Sequence, residues 1–417
     1  MSDSLSLPDP LSPATLSNPY AFWSQLRADS PVHRIEMPGM EQPTYLVARR
    51  QDVCEAAMNH EIFSSEVPSS VWRWGNLGPE LQPLLEQHGY GIVHTIASAD
   101  PPAHTYYRSL VGTLFNPRML ASLEPKLQKV IDEKLDVIHS GEPFDLMSSF
   151  AIPLPIAMIA DILGLPESAR SLVERYTEAF VGLVDPSGDL GNAKRSLLVF
   201  AEGQQYLWER IQSVEKEPRD DVLGMLVSTR DKEGRALSRE ELLSLCYIFM
   251  AGGNETTRNA IALAGYFLGK QPEVWQALKS DPGKLANFVE EVLRLGTPAR
   301  LNPRVVKQAT TLGGVDLPAG AVVFLLWGSA NRDEASFEGP DELCLNRSKP
   351  RDHQAFGYGI HRCIGAPLAR LELTLSIKAW LKRYASWQFA VPSEMVVEAP
   401  LFGFRTFSEL PIVVTYA

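Results

Sequence analysis

The chain has 417 residues, of which 45% are apolar and 21% charged, a composition typical of a folded globular protein and unlike a disordered or collagen-like chain. Acidic residues outnumber basic ones by 50 to 39, giving a net charge of −11, which argues against binding to nucleic acid or to an anionic membrane. The four cysteines lie far apart without a C-x-x-C pair. We therefore expect no zinc ribbon, closely spaced iron–sulfur ligands or disulfide framework.

The beginning of the chain predicts a cytoplasmic protein. Serine and proline stand where a secretory signal would need a basic start and an apolar run. No stretch reaches the roughly 18 uninterrupted apolar residues that a membrane-spanning helix requires, so we expect no membrane association. Residues 1–15 are predicted to be an extended lead-in, and no repeat or low-complexity linker divides the rest of the chain.

The hydrophobic pattern predicts a fold that is mainly α with a smaller β portion. Long segments repeat apolar residues three and four positions apart, as amphipathic helices do, and shorter apolar runs flanked by Pro and Gly indicate strands. A long segment without either pattern is usually a functional loop. In chain order, we predict a helix at 19–30, a strand within 44–53, a loop at 64–103, helices at 119–138, 167–184, 192–215, 239–268, 272–279 and 282–295, strands at 304–312 and 321–327, a helix at 366–384 and a strand at 412–417.

A glycine-rich loop, FGYGIHRCIG at residues 356–365, brings one cysteine to the start of the last predicted helix. Glycine lets a backbone bend tightly and approach a flat partner closely. The free N–H groups and the positive dipole end of the following helix favour the thiolate form of the cysteine. A stabilised thiolate at Cys363 is suited to be a nucleophile or a metal ligand; the alternative is a buried, inert cysteine.

A second motif, GGNET, lies within the predicted helix 239–268 and places two glycines before an acid and a hydroxyl group. A glycine costs about 1 kcal/mol relative to alanine in a helix, so Gly252 and Gly253 indicate a groove or a closely bound ligand. Glu255 and Thr256 are suited to accept and relay protons. In the alternative interpretation, Thr256 hydrogen-bonds the preceding turn of its helix and Glu255 lies in solvent.

Two pairs of side chains are spaced so that each pair shares one helical face. Glu291 and Arg294 lie three residues apart, and ion pairs of this kind are usually weak surface bridges. His104 and Arg108 lie four apart in the segment DPPAHTYYR, which is also compatible with an ordinary capped helix start. Arg300 is a further candidate to bind a carboxylate, unless it faces solvent.

Together these motifs resemble those of the cytochrome P450 family, in the family's order and at its spacing. The loop at 356–365 is similar to the haem-binding pattern F-G-x-G-x-H-x-C-x-G, and residues 252–256 are similar to the oxygen-binding pattern (A/G)-G-x-(D/E)-T. E-x-x-R at 291–294 and D-P-P-x-H-x-x-x-R at 100–108 match two further segments of the family. The resemblance implies the bacterial, soluble branch and one cytochrome P450 haem domain spanning residues 1–417.

The resemblance also implies a role for each motif. Cys363 would ligate the iron of haem b (iron protoporphyrin IX). Thr256 would hydrogen-bond the iron-bound dioxygen, with Glu255 as its acidic partner in proton delivery. The E-x-x-R pair would be a structural salt bridge behind the haem loop, with Arg347 as the candidate for its later arginine partner. The implied cofactor-binding positions are His104, Arg108, Gly252, Arg304, Phe356, Gly357, His361 and Gly365.

The family implies a monooxygenase reaction, in which one oxygen atom of O2 enters an organic substrate. We expect electrons from a ferredoxin or flavodoxin with a separate reductase, because the haem domain leaves no room for a flavin domain. An acidic donor would need a local basic patch, for which Arg118, Arg362 and Arg370 are candidates. The alternatives are a peroxide-driven peroxygenase, a haem isomerase or dehydratase, and a non-catalytic haem sensor; an intact Glu255–Thr256 pair argues against them.

The family resemblance also places the substrate pocket among apolar segments, which favours a medium-sized apolar molecule such as a terpenoid, an aromatic compound or a steroid-like ring system. Any single candidate is as well suited to the protein core as to the pocket wall. The candidate wall residues are Val67, Trp72, Trp74, Ile92, Phe180, Val181, Leu183, Ile248, Phe249, Pro298, Ala299, Leu301, Leu401 and Phe402.

Overall fold

The computed structural model of the protein describes residues 7–38, 40–67, 83, 89–184 and 190–417. Part of the predicted loop at 64–103 therefore lies outside the described residues, including the pocket candidates Trp72 and Trp74. The side chain of Val181 lies outside them as well.

α-Helices form most of the regular structure, so the fold is mainly α with a smaller β portion, as predicted. Within the described ranges, no helix combines the length and the apolar character needed to cross a membrane. In chain order the α-helices are α1 (Pro13–Ser17), α2 (Tyr20–Asp29), α3 (Arg50–Met58), α4 (Ala103–Gly112), α5 (Pro117–Asp136), α6 (Pro153–Ile162), α7 (Arg170–Val184), α8 (Leu190–Lys216), α9 (Val222–Ser228), α10 (Arg239–Lys270), α11 (Pro272–Ser280), α12 (Leu285–Gly296), α13 (Trp327–Ala330) and α14 (Ala366–Arg383).

The strands assemble into one larger sheet and two small ones. They are β1 (Val32–Ile35), β2 (Thr44–Val47), β3 (Phe63–Ser64), β4 (Phe144–Asp145), β5 (Leu301–Val306), β6 (Thr310–Leu312), β7 (Val315–Leu317), β8 (Val322–Leu326), β9 (Tyr384–Phe389) and β10 (Pro411–Tyr416). The larger sheet has the order β1-β2-β8-β5-β3, and β4-β10-β9 and β6-β7 form the others. Strands β2 and β8 are parallel, so the larger sheet joins the beginning of the chain to its last third.

Helix α10 has 32 residues and carries the GGNET motif. It begins with a capping box, in which the Ser238 hydroxyl accepts from the Glu241 N–H and the Glu241 carboxylate accepts from the Ser238 N–H. Such a box satisfies two N–H groups that a helix start would otherwise leave unpaired. The helix packs against α6, α7, α12 and α14, which places the motif inside the helical core.

Glu291 lies at the centre of a buried ion cluster, which confirms the predicted E-x-x-R salt bridge and its third partner. Arg294 donates through Nε and Nη2 to the two carboxylate oxygens at 2.7 and 2.9 Å, and Arg347 Nε donates at 2.8 Å. Burial raises the pKa of Glu291, but the hydrogen bonds from the two arginines outweigh it and hold the pKa below its ordinary value. Because Arg294 also donates to three backbone carbonyls between residues 331 and 342, the cluster anchors that segment.

Helices α3, α4, α6 and α9 were not predicted, and three of the other differences from the prediction have a local cause. The expected extended lead-in contains α1, because the Ser12 hydroxyl accepts from the Thr15 N–H and Pro13 suits a first helical turn. The predicted strand 304–312 is divided into β5 and β6, since the chain bends after β5 and β6 pairs with β7 instead of β8. The predicted strand 321–327 ends at Leu326, because Trp327 begins α13.

Candidate active site

One cavity of about 350 Å³ brings most of the predicted site residues together. It lies between α10, the loop 356–365 and the strand β5. The predicted residues on its wall are Arg108, Gly252, Thr256, Arg304, Phe356, Gly357, His361, Cys363 and Gly365. Of the remaining two, His104 packs directly behind the wall against His361, with ring centroids 4.3 Å apart, whereas Glu255 is held away from the cavity.

The loop that carries Cys363 is fixed by its own backbone and by α3. The Cys363 N–H donates to the Phe356 carbonyl at 2.8 Å, which closes the loop. Gly357 and Gly359 have φ angles of 71° and 73°, in a region that residues with a Cβ atom rarely adopt. A Cβ atom at Gly359 would lie 2.5 Å from the carbonyl oxygen of Ala57. Glycine is therefore required there by both conformation and space.

The thiol of Cys363 opens onto the cavity just before α14. Burial raises its pKa above the ordinary value, and the backbone N–H groups of Gly365 and Ala366 and the positive charges of Arg108 and Arg370 offset this only in part. A sulfur surrounded by N–H donors and cations is stabilised as a thiolate when a metal ion binds it. The predicted setting of Cys363 at a helix N-terminus is thus confirmed by the geometry.

Basic side chains gather at one edge of the cavity, and none of them forms a salt bridge with another described residue, although the charge of Asp100 acts on three of them. Arg304 is buried and donates to the carbonyl of its neighbour Pro303 at 2.7 Å, and no carboxylate in the described ranges forms a salt bridge with it. Burial lowers its pKa to about 10. His104 Nε2 is buried and has no hydrogen-bond partner in the described part of the chain. Arg108 lies beside this group and donates to the Arg362 carbonyl at 2.8 Å.

This edge of the cavity fits the carboxylates of a haem. A buried guanidinium that forms no salt bridge is costly, and the charge of Asp100 offsets only part of the burial of Arg304. Burial together with Arg304 and His104 lowers the pKa of His361 to about 3. Carboxylate groups would compensate the guanidinium and accept charge-assisted hydrogen bonds from Arg304, Arg108 and the two histidines. The donor set of the cavity is therefore the one that a dicarboxylate porphyrin with a thiolate-bound iron needs.

The GGNET motif forms the opposite wall of the cavity. The Thr256 hydroxyl donates to the Gly252 carbonyl at 2.8 Å, so the predicted back-bonding of the alternative interpretation is present. A Cβ atom at Gly252 would meet no atom within 4 Å, whereas one at Gly253 would lie 3.0 Å from Ile159 Cδ1. Gly252 therefore leaves open space on the cavity side and Gly253 permits close packing against α6, which explains both glycines.

Glu255 is not in solvent, contrary to the alternative interpretation. Its side chain is 1% exposed, because Arg258 Nη2 lies 2.6 Å from Glu255 Oε2 and Asn259 Nδ2 donates to Oε1 at 3.0 Å. The acid does not line the cavity. The GGNET motif predicts the acid but not the two partners that hold it.

Much of the remaining cavity wall is apolar. The predicted residues among them are Val67, Ile248, Phe249, Pro298 and Ala299. Leu301 and Phe402 instead pack in a separate buried cluster with Leu16 and Trp23, while Ile92, Phe180, Leu183 and Leu401 also lie off the cavity wall. The apolar wall residues that no sequence pattern indicates include Ile96, Phe115, Ile159 and Leu293.

Arg300 differs from its predicted surroundings, and Glu372 is a site residue that was not predicted. Arg300 is buried and binds a carboxylate of its own chain, since Nη2 donates to Glu398 Oε2 at 2.7 Å, and it does not line the cavity. Glu372 on α14 lines the cavity, is 1% exposed, and its Oε2 has no hydrogen-bond partner among the described residues. Burial raises its pKa to about 8. The signal for Glu372 is its spacing of four from the buried Leu368, which places an acid on an apolar helical face.

Comparison with known proteins assigns the family. The sequence pattern of the family described as Cytochrome P450 matches residues 113–281 and 284–400. The chain belongs to the cytochrome P450 family. The cytochrome P450 monooxygenase PikC of Streptomyces venezuelae is 34% identical over 399 residues, which cover 95% of this chain and 91% of PikC. As a P450, the protein is a monooxygenase that depends on haem.

Solved P450 structures have the same fold along nearly the entire chain. The structure of CYP109Q5 from Chondromyces apiculatus matches with a TM-score of 0.83 and 31% identity, covering 98% of both chains. CYP109E1 from Bacillus megaterium in complex with testosterone matches with a TM-score of 0.82 and 28% identity, covering 96% of this chain and 99% of the other. The fold predicted from the motifs is thereby confirmed.

Proposed function

We propose that this P450 uses haem b to insert one oxygen atom of O2 into a medium-sized apolar organic substrate. The observation that carries this proposal is that Cys363 and Thr256 belong to the wall of one cavity whose remaining walls are apolar. When bound, the haem supplies the oxygen chemistry. The protein's own residues bind the cofactor, exclude water, orient the substrate and move protons.

Cys363 is the proposed iron ligand, and four basic residues are the proposed ligands of the haem carboxylates. Arg304 and His104 support this role most strongly, because among the described residues the first is a buried cation that forms no salt bridge and the second is a buried ring whose Nε2 has no hydrogen-bond partner. Arg108 and His361 complete the set. Phe356, Gly357 and Gly365 form the wall beside the sulfur, and Gly252 leaves space on the opposite side.

Thr256 is the proposed residue that hydrogen-bonds the reacting oxygen. Its hydroxyl proton is donated to the Gly252 carbonyl at 2.8 Å, so the lone pairs of Oγ1 are available to accept a hydrogen bond or a proton. Glu255 is the proposed source of that proton. The pair is therefore proposed as the proton path from solvent to the cavity.

The apolar wall favours a terpenoid, an aromatic compound or a steroid-like molecule as substrate. Phe115 and Phe249 provide aromatic surface, with ring centroids 6.1 Å apart, and Ile96, Ile159 and Ile248 add branched aliphatic surface. Apolar walls of this kind bind ligands mainly through buried area and shape. The testosterone bound to CYP109E1 is a molecule of the proposed size and polarity.

The proposed electron donor is a ferredoxin or flavodoxin that is served by a separate reductase. Arg118, at the start of α5, is exposed and available to an acidic partner, and Arg362, in the Cys loop, is exposed as well but also borders the cavity. Arg370 is not available to such a partner, because Nε and Nη2 donate to Glu290 at 2.8 and 2.9 Å. We propose the cytoplasm as location and residues 1–417 as one haem domain.

The experiment that tests the proposal begins with haem content. The purified protein is reduced and exposed to carbon monoxide, and the absorption band that gives the family its name is expected. Cys363→Ser should abolish that band, while Cys344→Ser should retain it because Cys344 lies off the cavity wall. A band that survives in Cys363→Ser would refute the ligand assignment. Optical titration with steroids, terpenoids and aromatic compounds then tests the substrate class.

A further inference from the structure

Residues 95–99 form a closed turn on the cavity wall, the wall turn. Its central residues Ile96, Ala97 and Ser98 line the cavity, and the N–H groups of its last two residues donate to the Thr95 carbonyl at 3.1 and 2.7 Å. A turn that is closed by its own hydrogen bonds moves as one unit. The position of these three wall residues therefore depends on the contacts that hold the wall turn on its two sides.

On one side, the wall turn is tied to the larger sheet through Asp100. The buried Asp100 carboxylate accepts from the Ser64 hydroxyl at 2.6 Å and from the Ser65 N–H at 3.0 Å. The Asp100 N–H in turn donates to Glu66 Oε1 at 3.0 Å. Because β3 is paired with β5, this side of the wall turn is fixed to the strand that borders the cavity.

On the other side, Gln204 of α8 holds the backbone of Tyr90. Its side-chain amide accepts from the Tyr90 N–H at 2.9 Å and donates to the Tyr90 carbonyl at 3.0 Å. One side chain thus satisfies both backbone groups of one residue, as a neighbouring strand would. Gln204 is 2% exposed, so a shifted segment would leave a buried amide without these partners, which is costly. The contact therefore favours a single register of the segment.

The ring of Tyr90 is held separately, by α8 and the beginning of α10. Arg239 Cζ lies 4.3 Å from the centroid of the Tyr90 ring and 5.8 Å from that of Trp208, and the two rings are 6.4 Å apart. Trp208 follows Gln204 by one helical turn, so both side chains lie on one face of α8. Backbone and ring of Tyr90 are thus bound by the same pair of helices.

A further hydrogen bond fixes the segment to α10. The Val93 N–H donates to Ser244 Oγ at 3.1 Å, and Ser244 is 4% exposed. Ser244, Ile248 and Gly252 are spaced by four residues and share one face of α10, and the latter two line the cavity. The hydrogen bond therefore sets the distance between the segment and the helix face that forms the opposite wall.

We propose that Gln204 and Ser244 are positioning residues that hold the wall turn against the cavity and thereby set which substrates fit. Neither of them belongs to the cavity wall, so they act through the backbone of residues 90–98 and not by touching a substrate. With both contacts made, Ile96 presents a fixed apolar surface; without them, the wall turn withdraws and this surface no longer packs on a substrate. The inference rests on the proposed function of the cavity.

Hydrogen exchange of the purified, haem-loaded protein tests the hold on the segment without turnover. Gln204→Met nearly retains the side-chain volume but removes both hydrogen bonds to Tyr90, so the amides of residues 90–98 should exchange roughly tenfold faster or more. The matched control is Gln212→Met, at an exposed glutamine two turns later on α8, which should leave their exchange unchanged. Unchanged exchange in Gln204→Met, or equal acceleration in the control, would overturn the proposal.

Optical titration with two ligands of the haem iron separates a positioning role from a structural one. Imidazole and phenylimidazole share the coordinating nitrogen and differ in a phenyl ring that needs apolar contact with the cavity wall. Because withdrawal of the wall turn removes part of that contact, Gln204→Met should lower the ratio of their affinities by roughly threefold to tenfold. A wild-type ratio in a variant whose exchange is faster would assign Gln204 a merely structural role and overturn the proposal.

Ser244 provides an independent pair of variants if Gln204→Met does not fold. Ser244→Ala removes the acceptor of the Val93 N–H and should shift the exchange and the affinity ratio in the same directions, whereas Ser244→Thr retains the hydroxyl and should resemble the wild type. Equal results for the two variants would contradict the role of Ser244. Failure of the proposed function looks different, because neither imidazole would then change the optical spectrum of any variant, while hydrogen exchange of residues 90–98 would still report on Gln204.

Discussion

Arg370 connects the buried carboxylate of Glu290 to the ring of Phe356. Its Cζ lies 4.5 Å from the ring centroid, while Nε and Nη2 donate to Glu290 at 2.8 and 2.9 Å. Phe356 begins the loop that carries Cys363, so this contact ties the loop to α12. His353 and Arg351 bind the same carboxylate at 2.9 and 3.2 Å, which makes Glu290 a second ionic centre beside Glu291.

Arg370→Met should destabilise the fold and loosen the loop. The substitution removes one partner of the buried Glu290 carboxylate, while His353 and Arg351 still bind it. We therefore expect a loss of about 2 kcal/mol in the free energy of unfolding. Chemical denaturation of the haem-loaded protein measures it. The matched control is Arg351→Met, which removes a 75% exposed arginine from the same carboxylate and should cost less than about 1 kcal/mol. Equal losses of unfolding free energy in the two variants would contradict the larger contribution that we assign to Arg370.

The contribution of Glu290 to the free energy of unfolding should depend on pH. Burial opposes its ionisation, but hydrogen bonds from His353 and Arg370 outweigh it and lower its pKa from 4.5 to about 2. A carboxyl group whose pKa is lower in the folded state stabilises the fold above its unfolded pKa and loses that effect as pH falls toward its folded pKa. The stability difference between wild type and Glu290→Gln should therefore be full above pH about 4.5 and shrink toward pH about 2. A difference that stays constant between pH 6 and pH 3 would contradict this.

Arg304→Leu should weaken haem binding without destabilising the apoprotein. The guanidinium is buried beside the cavity and forms no salt bridge within the described residues, and the charge of Asp100 offsets its burial only in part, so its removal should cost the apoprotein little. In the haem-bound protein it removes a charge-assisted hydrogen bond of about 1.5–3 kcal/mol, which corresponds to roughly tenfold to hundredfold faster haem loss. Transfer of haem to an acceptor protein measures this rate. Arg118→Leu, at an exposed arginine, should leave it unchanged; equal rates for both variants would argue against a haem contact of Arg304.

Thr256→Ala should reduce product formed per electron consumed, because the hydroxyl that accepts and relays protons is lost. A decrease on the order of 100-fold is expected, at the lower end of the range for a group in general acid–base catalysis. The measurement compares NAD(P)H consumed, product and peroxide in the reconstituted system. Thr256→Ser retains the hydroxyl and should keep most of the product. If the alanine variant converts electrons to product as the wild type does, the hydroxyl has no role in oxygen activation.

Arg362→Glu should slow reduction by an acidic ferredoxin. Loss of electrostatic attraction lowers the association rate by about tenfold at low ionic strength, and the difference should disappear at high salt. Stopped-flow reduction at several salt concentrations measures both effects. Arg34→Glu is the control, because Arg34 is an exposed arginine on β1, a strand that carries none of the predicted site residues. If both variants slow reduction equally, Arg362 does not belong to a specific docking surface.

The local motifs could be predicted because their chemistry depends on short spacings. The glycines of the Cys loop, the N-terminus of α14 and the pair at Gly252 and Gly253 each lie within a few residues of the group they serve. The ion pair of Glu291 and Arg294 follows from one helical turn. Its third partner, Arg347, could be named only by resemblance, since no local pattern relates positions 56 residues apart.

The cavity wall and the partners of Glu255 could not be predicted in the same way. An apolar helical face has the same periodicity whether it meets another helix or an empty space, so Phe115 and Ile159 were not distinguishable from core residues, and Phe180 was wrongly assigned to the wall. Arg258 lies three residues from Glu255, but so do many surface pairs. Only the packing of α7 against α10 shows that this pair is buried.

The close contact between Gly359 and the Ala57 carbonyl has a consequence for biosynthesis. These two positions are separated by about 300 residues, which at about 5–20 residues per second leave the ribosome roughly 15–60 s apart. Helix α3 can therefore contact the Cys loop only after nearly the whole polypeptide has been synthesised. Because Cys363 and the α3 surface that fixes its loop come together only then, we expect the iron porphyrin to be captured late in synthesis or after it.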